Sequence, residues 1–558
     1  MKYLKRFFSI GMAVVMMLSM TISAFAANEN PHTITITHEK SGHVYEAYQV
    51  FKGDISDDKL TNVEWGNGVN GEALLVDLKQ MEDSPYMDCN SAEAVADVLE
   101  TMSENSAELD AFATVAGKHL TTEASVSTNA GTVEKDGIAY YKYDIQVTGD
   151  GYYLVKDQGT KEIEDGDAYT KYILKVVGDV LVEAKADAPE LEKKIVEGEK
   201  KVDANNGSVG DTVNYELTSR VPDMDGYDKY DFIVHDTLSE GLTFQEDSVR
   251  IQVGNTVLSA EDYSVVTENV SDDCIFEIIL KDFYNKYKEQ SGAKITMKYS
   301  AIINENAIVG NVGNSNEAYL EYSNHPYEGV NGITPKDIVL TYVTGIELIK
   351  IDENGNRLTG AEFQITGDKL NKVQTMKEVF QEDPNGIFYK LKKGTYTDIA
   401  PTEETAGDYA NTEITYGREI KTEWNISTEA VSATATVGSD GVVRFDGLSE
   451  GTYVIKEMKA PSGYNLLKED ITVKISCEEP ATVLSGEEKA VWKYTLSGAV
   501  STENNEVTAT SGRVELTIEN KEGATLPSTG GIGTTIFYIL GAILTVGGGA
   551  ILLTKKYK

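Results

Sequence analysis

Three side chains able to form a new bond with one another sit where the sequence otherwise places hydrocarbon. In the segment Gly345 to Asp352, Ile346, Leu348 and Lys350 share one face of a strand. In the segment Arg513 to Asn520, Val514, Leu516, Ile518 and Asn520 do the same, and near residue 455 the shared face carries Tyr453, Ile455 and Glu457. Burying an amine, an amide and an acid without compensation costs several kcal/mol for each group. Chemistry can remove that cost. An amine in an apolar core becomes a neutral nucleophile, and a carboxyl group in the same surroundings keeps its proton. A protonated Glu457 can donate to the Asn520 carbonyl oxygen, Lys350 can then attack the carbonyl carbon, and ammonia leaves. The fold supplies the proximity that a slow amide exchange requires.

The same pattern recurs earlier in the chain. Leu191, Lys193 and Ile195 share a face, as do Phe232, Val234, Asp236 and Leu238, and as do Asn316, Ala318, Leu320 and Tyr322. Lys193 is the expected nucleophile, Asp236 the acid and Asn316 the electrophile; Lys194 competes with Lys193, and alternation alone decides between them. A link from Lys350 to Asn520 joins the first and last strands of its domain and closes a loop of well over a hundred residues. That closure contributes about 5 kcal/mol in the chain-entropy account of cross-links. The segment Gly151 to Asp157 echoes Gly451 to Glu457 in spacing, but Asp157 has no lysine and asparagine partners in the pattern, so no third bond is expected.

The elements that position these groups are strands. Thirty-one tyrosines, alternating Val, Thr and Ile, and many Gly and Asn turns favour β-sandwiches. The expected fold is mainly β, with tandem immunoglobulin-like sandwiches. Residues 28–188 form a β-rich first domain, in which Thr33 to Phe51 reads as a hairpin. A helical insertion follows, with Leu74, Leu75, Leu78 and Met81 on one helix face, and Val95, Val98, Leu99 and Met102 on another after an N-cap at Ser91. Strand patterning returns at Ile138 to Val147, Gly151 to Val155 and Tyr169 to Val182. Residues 189–338 form a middle sandwich and residues 339–525 a C-terminal one, whose polar middle, about Thr366 to Thr436, reads as long loops or an insertion.

Both ends carry targeting patterns. Lys2, Lys5 and Arg6 precede an apolar stretch from Phe7 to Ile22, and Ala24-Phe25-Ala26 offers small residues for cleavage, so residues 1–27 read as an export signal. The apolar run from Gly533 to Leu553 is long enough for a transmembrane helix, and Lys555, Lys556 and Lys558 follow it. The net charge of −40 excludes nucleic acid as a plausible partner. Three separated cysteines, Cys89, Cys274 and Cys477, do not make a disulfide framework for an exported chain.

These motifs carry a resemblance. Leu526-Pro527-Ser528-Thr529-Gly530, the span and the basic tail resemble the LPxTG sorting signal of Gram-positive surface proteins, with residues 526–558 as that signal. Asp236-Thr237-Leu238-Ser239-Glu240-Gly241-Leu242 with Asn316-Glu317-Ala318 resembles the isopeptide-forming middle domain of Gram-positive pilins. Lys350-Ile351-Asp352 through Gly360-Ala361-Glu362-Phe363, then Lys456-Glu457-Met458-Lys459-Ala460-Pro461-Ser462-Gly463-Tyr464, resembles the Cna-B-type sandwich, with Met458 where the family has threonine. The chain is thus similar to sortase-assembled shaft subunits of pili. The resemblance implies a secreted protein anchored in the cell wall. Its sortase would cleave Thr529-Gly530 and join Thr529 to an amine of an identical subunit or of peptidoglycan, with minor pilins and host ligands as further partners. Family position assigns the joining amine to Lys185, within Val182-Glu183-Ala184-Lys185-Ala186-Asp187-Ala188-Pro189, although the usual Tyr-Pro before it is replaced by Glu-Ala. Alternation with Val180 and Val182 also places Lys185 outward. The other reading is a singly anchored adhesin or a pilus base subunit.

Other chemistry finds no support in the residue pattern. Asp352-Glu353-Asn354-Gly355-Asn356 lacks the glycine and glutamate of a calcium loop at Arg357 and Phe363, so it reads as a turn. The six histidines and three cysteines have no metal-ligand spacing, and no cofactor or metal is expected. There is no phosphate loop or nucleophile elbow, so no enzyme turning over an external substrate is expected.

Overall fold

The alternating segments form sheets throughout the computed structural model. It describes residues 31–524, apart from 57–58, 104–105, 136–137, 159–164, 166, 170–172, 177–179, 185–186, 328, 368–369, 371, 427–431 and 501–505, together with residues 539–540. The export signal, Lys185, the Leu526-Pro527-Ser528-Thr529-Gly530 motif and nearly all of the proposed membrane span therefore lie outside the described residues. Among the described residues no helix is long and apolar enough to cross a membrane. The chain divides into two compact units: residues 1–188 with 223–230 and 323–332, and the remainder.

In the first unit one sheet has the order Thr128–Lys135, Ile138–Thr148, Pro31–His38, Val180–Glu183. The other has the order Lys59–Trp65, Tyr45–Ser56, Gly151–Asp157, Ile173–Val176. The first two strands of the chain thus belong to different sheets, and the expected hairpin from Thr33 to Phe51 is not formed. Period-two alternation buries one face of each strand but does not say which sheet receives it. Here Ile34 and Ile36 pack across the gap against Tyr45, Ala47, Tyr153 and Val155. The connection turns through Gly42 at φ +98°. Helices Gly71–Gln80 and Ala92–Glu100 carry the expected apolar faces, and Ser91 caps the second by accepting from the Ala94 N–H at 3.2 Å. A third helix, Ala107–Gly117, adds Phe112 to the cluster that Leu74, Leu78 and Val95 form with Phe51 and Leu154.

The second unit holds two sandwiches. In the middle one, a sheet with the order Lys200–Val202, Glu192–Glu197, Thr212–Arg220, Lys294–Ile303, Leu242–Val253, Thr256–Val257 faces a second sheet. The core strands of that second sheet run Asp337–Tyr342, Asn314–Ser323, Phe232–Leu238, Phe276–Leu280. In the C-terminal one, Thr344–Asp352 runs parallel to Val514–Asn520, with Lys350 opposite Ile518 and Asp352 opposite Asn520. Gly451–Lys459 lies in the facing sheet, between Glu362–Gly367 and Ile471–Glu478. The polar middle is an insertion: a long hairpin, Lys372–Glu382 with Tyr416–Ile426, whose end packs Phe380 against Phe388 and Tyr396. Leu340 and Tyr342 of the middle sandwich join the C-terminal core, and the Trp492 indole N–H donates to the Gly310 carbonyl at 2.9 Å.

Candidate functional site

In the middle sandwich, Lys193 sits on strand Glu192–Glu197 of one sheet, and Asp236 and Asn316 sit on paired strands of the other. All three are buried, Lys193 and Asn316 with no exposed surface at all. Alternation forces this placement, because the neighbours of Lys193 on its own face are apolar. Lys193 Nζ donates to Asp236 Oδ2 at 2.8 Å and to Asn316 Oδ1 at 2.5 Å. Burial drives the Lys193 ammonium toward the neutral amine and the Asp236 carboxylate toward the neutral acid, against the mutual attraction of the pair. The competing Lys194 points the other way, partly exposed and paired with Asp203 at 2.7 Å.

A fourth residue, unremarked in the sequence, completes this site. The Tyr299 hydroxyl donates to Asp236 Oδ2 at 2.7 Å and accepts from Asn316 Nδ2 at 2.7 Å. Its ring and that of Tyr215 stack at 5.0 Å and line the pocket, with Lys193 Nζ 5.5 Å and 5.6 Å from the two centroids. The alternation Ile295, Met297, Tyr299, Ala301 on a buried face carried the signal. A tyrosine there reads as core until its hydroxyl is asked for a partner.

In the C-terminal sandwich Lys350, Glu457 and Asn520 are again buried. Lys350 and Asn520 belong to adjacent strands of one sheet, and Glu457 to the sheet that faces them. Asn520 Nδ2 donates to both carboxylate oxygens of Glu457, at 2.9 and 3.1 Å, and to the Asn465 carbonyl at 2.9 Å. Asn520 Oδ1 is buried without a hydrogen-bond partner, so the acid meets the amide nitrogen rather than the carbonyl oxygen expected from the sequence. Lys350 Nζ donates to the Ile518 carbonyl at 2.9 Å, on the residue directly opposite it in the ladder, two positions before Asn520. Burial lowers its pKa to about 8, outweighing the opposing charge of Glu457.

In the first unit, Asp157 is buried at the end of strand Gly151–Asp157, at the position matching Glu457, but its partner is histidine. His43 Nδ1 lies 2.7 Å from Asp157 Oδ2, and Nε2 lies 2.9 Å from Asp167 Oδ2. No amine meets an amide there among the described residues. The segment Asp352 to Asn356 is a turn, in which Asp352 Oδ1 accepts from the Asn354 and Asn356 N–H groups at 2.8 Å each.

Three family models match the chain. Residues 209–326 match the Cna-B-like domain of the Gram-positive pilin backbone subunit 2, residues 410–490 a prealbumin-like fold domain, and residues 518–558 an LPXTG cell wall anchor motif. The first match contains Asp236, Tyr299 and Asn316, and the second contains Glu457. The chain is 28% identical over 402 residues to the trypsin-resistant surface T6 protein of Streptococcus pyogenes serotype M6, covering 67% of this chain and 70% of that protein. In structure it is similar to the T6 backbone pilin of serotype M6 Streptococcus pyogenes, with a TM-score of 0.50 at 18% identity, over 89% of this chain and all of that one. The full-length major pilin SpaD of Corynebacterium diphtheriae aligns at a TM-score of 0.45 and 15% identity, over 88% of this chain and 98% of that one.

Proposed function

We infer that this chain, which carries the domains and the wall anchor of Gram-positive backbone pilins, is the structural shaft subunit of a pilus that a sortase polymerises and fixes to the cell wall. Its work is to carry load, and we propose that two internal isopeptide bonds, Lys193 to Asn316 and Lys350 to Asn520, let it do so. The supporting observation is the buried contact of Lys193 with Asp236 and Asn316. A neutral Lys193 Nζ adds to the Asn316 Cγ while the Asp236 acid gives its proton to the amide nitrogen through the Tyr299 hydroxyl that touches both. The former amine returns its surplus proton to the Asp236 carboxylate, and the C–N bond breaks to release ammonia. One amide replaces another, the carboxyl group ends as it began, and no co-reactant is consumed. In the C-terminal sandwich Glu457 faces the leaving nitrogen directly and performs both transfers.

Polymerisation uses the remaining reactive groups. The sortase cleaves Thr529-Gly530 and transfers the Thr529 carbonyl to Lys185 of the next subunit, or to peptidoglycan at the base. The mature, folded chain is expected to weigh two ammonia molecules less than its sequence requires, with Lys193 joined to Asn316 and Lys350 to Asn520 in a protease digest. Recovery of all four residues in unlinked peptides would falsify the internal bonds.

A further inference from the structure

A second polar cluster occupies the middle sandwich on the face of strand Phe232–Leu238 opposite Asp236. His235 projects there, directly across the ladder from Glu277 on strand Phe276–Leu280, and Asp272 and Cys274 reach it from the segment that leads into that strand. His235, Cys274 and Glu277 are buried, while Asp272 is open to solvent. His235 Nδ1 lies 3.6 Å from Asp272 Oδ1, 3.7 Å from Glu277 Oε1 and 3.9 Å from Cys274 Sγ.

We propose that His235, Asp272, Cys274 and Glu277 form a binding site for one divalent transition metal of the zinc type. A tetrahedral ion with bonds of about 2.0–2.3 Å holds its ligand atoms roughly 3.3–3.6 Å apart. The separations from His235 Nδ1 match or exceed that by up to a few tenths of an ångström, and all four ligand atoms lie within 4.8 Å of one another, a spread that side-chain rotation draws in. One nitrogen, one sulfur and two carboxylate oxygens form a borderline-soft set that favours zinc over calcium or magnesium. The imidazole already has the orientation that ligation requires, because Nε2 lies 3.0 Å from Glu321 Oε2, which holds the N–H on that side and leaves Nδ1 as the free lone pair. The ring is also stacked on Tyr319 at 4.6 Å, and the Tyr319 hydroxyl donates to Asp272 Oδ2. Asp272 Oδ1 accepts from the Cys274 N–H at 2.9 Å and can bind through its other lone pair. Glu277 Oε1 accepts from both the N–H and the hydroxyl of Ser271 at 2.6 Å, and the hydroxyl gives way to the ion. The thiol proton leaves to solvent when the ion enters. Asp272, Cys274 and Glu277 are close in sequence, but His235 reaches them from the paired strand, so no contiguous ligand motif appears in the sequence.

Chelator-treated mature chain is titrated with zinc chloride and, separately, with cobalt chloride. One zinc per chain is expected to bind and raise the thermal midpoint, and cobalt is expected to show tetrahedral absorption with a thiolate charge-transfer band. Cys274→Ser removes that band. Asp272→Asn, at the exposed ligand and so the safer variant for folding, weakens binding roughly tenfold or more. The competing occupant is a proton, which would make His235 an imidazolium among Asp272, Glu277 and Glu321. Absence of stoichiometric zinc uptake by the parent chain assigns the cluster to that proton and overturns the proposal. Uptake that neither substitution alters places the ion elsewhere and overturns it equally. None of these ligands takes part in the isopeptide chemistry, so the intact-mass deficit stands or falls separately.

Discussion

Lys193 and Asn316 touch across the gap between two sheets, Nζ to Oδ1 at 2.5 Å, although 123 residues separate them in the chain. Lys350 and Asn520, by contrast, lie on neighbouring parallel strands of a single sheet. The first proposed link would therefore tie sheet to sheet, and the second would tie the strand at which the C-terminal domain begins to the strand at which it ends. Tension entering at Thr344 and leaving at Asn520 would then run through the second bond, sparing the ladder between those strands.

Removing the acid tests the first link. Asp236→Ala is expected to restore one ammonia to the intact mass and to leave the C-terminal bond in place. The loop closed by the Lys193–Asn316 bond is worth about 5 kcal/mol of stability in the chain-entropy account, and the urea midpoint should fall accordingly. An unchanged mass deficit, measured against the variant's own sequence, would assign the proton transfers to another group.

Tyr299 bridges the acid and the leaving nitrogen, so its hydroxyl is expected to matter to the rate and not to the product. Tyr299→Phe preserves the stacking with Tyr215 and removes only the bridge. Refolding from denaturant followed by timed intact-mass measurement should show the middle bond forming at least about tenfold more slowly than in the parent chain. Equal rates would make Tyr299 a packing residue alone.

Much of this site was legible as alternation. Lys193, Asp236, Asn316, Lys350, Glu457 and Asn520 each stood on an apolar face, and a polar group there must find a partner or a reaction. What alternation omits is the direction of a side chain within that face. It could not tell that Lys350 leans on the Ile518 carbonyl, or that Asn520 offers Glu457 its nitrogen. Tyr299 was invisible because an aromatic residue satisfies the pattern without requiring explanation. The insertion at Lys372–Glu382 was hard to read for the opposite reason: Lys377, Glu378, Val379, Phe380 and Gln381 mix charge with hydrocarbon at no regular period, so no buried face stands out. The first two strands alternated as expected, yet pairing between sheets is decided by the turn and by the groups buried beside it, His43 among them.

The lowered pKa of Lys350, about 8, makes formation of the C-terminal bond depend on pH. Only the neutral amine attacks, so the fraction able to react rises with pH and levels off above that value. In refolding experiments on the unlinked chain, the rate should fall about tenfold for each pH unit below 8. A rate independent of pH between 6 and 8, an interval of roughly two units, would mean that attack by the neutral amine does not limit the reaction.

Lys185 supplies the amine for assembly in the proposed shaft. In the native host, Lys185→Ala is expected to collapse the high-mass ladder on a denaturing gel to a single band, with that band still bound to the wall through Thr529. Persistence of the ladder would transfer the joining role to another lysine.

The first unit is expected to respond to pH in the opposite sense, through His43. Burial disfavours its charge, but hydrogen bonds and attraction from Asp157 and Asp167 outweigh that and raise its pKa to about 9, against 6.5 for the ordinary group. A group whose pKa is raised on folding binds its proton more tightly in the folded state. Its contribution is therefore complete below pH 6.5, declines from there, and is gone above about pH 9; its full size is about 3 kcal/mol. Neighbouring His38 moves the other way, since burial and the His43 charge both lower its pKa, so its own effect is a loss of stability as pH falls below 6.5 and lies outside this window. Urea denaturation of the mature chain, followed by a probe placed in the first unit, should show the midpoint falling between pH 6.5 and 9. His43→Asn should lower the midpoint at pH 6 and flatten this dependence. A parent midpoint that holds steady across that interval would mean His43 gains no proton affinity from its two aspartates on folding.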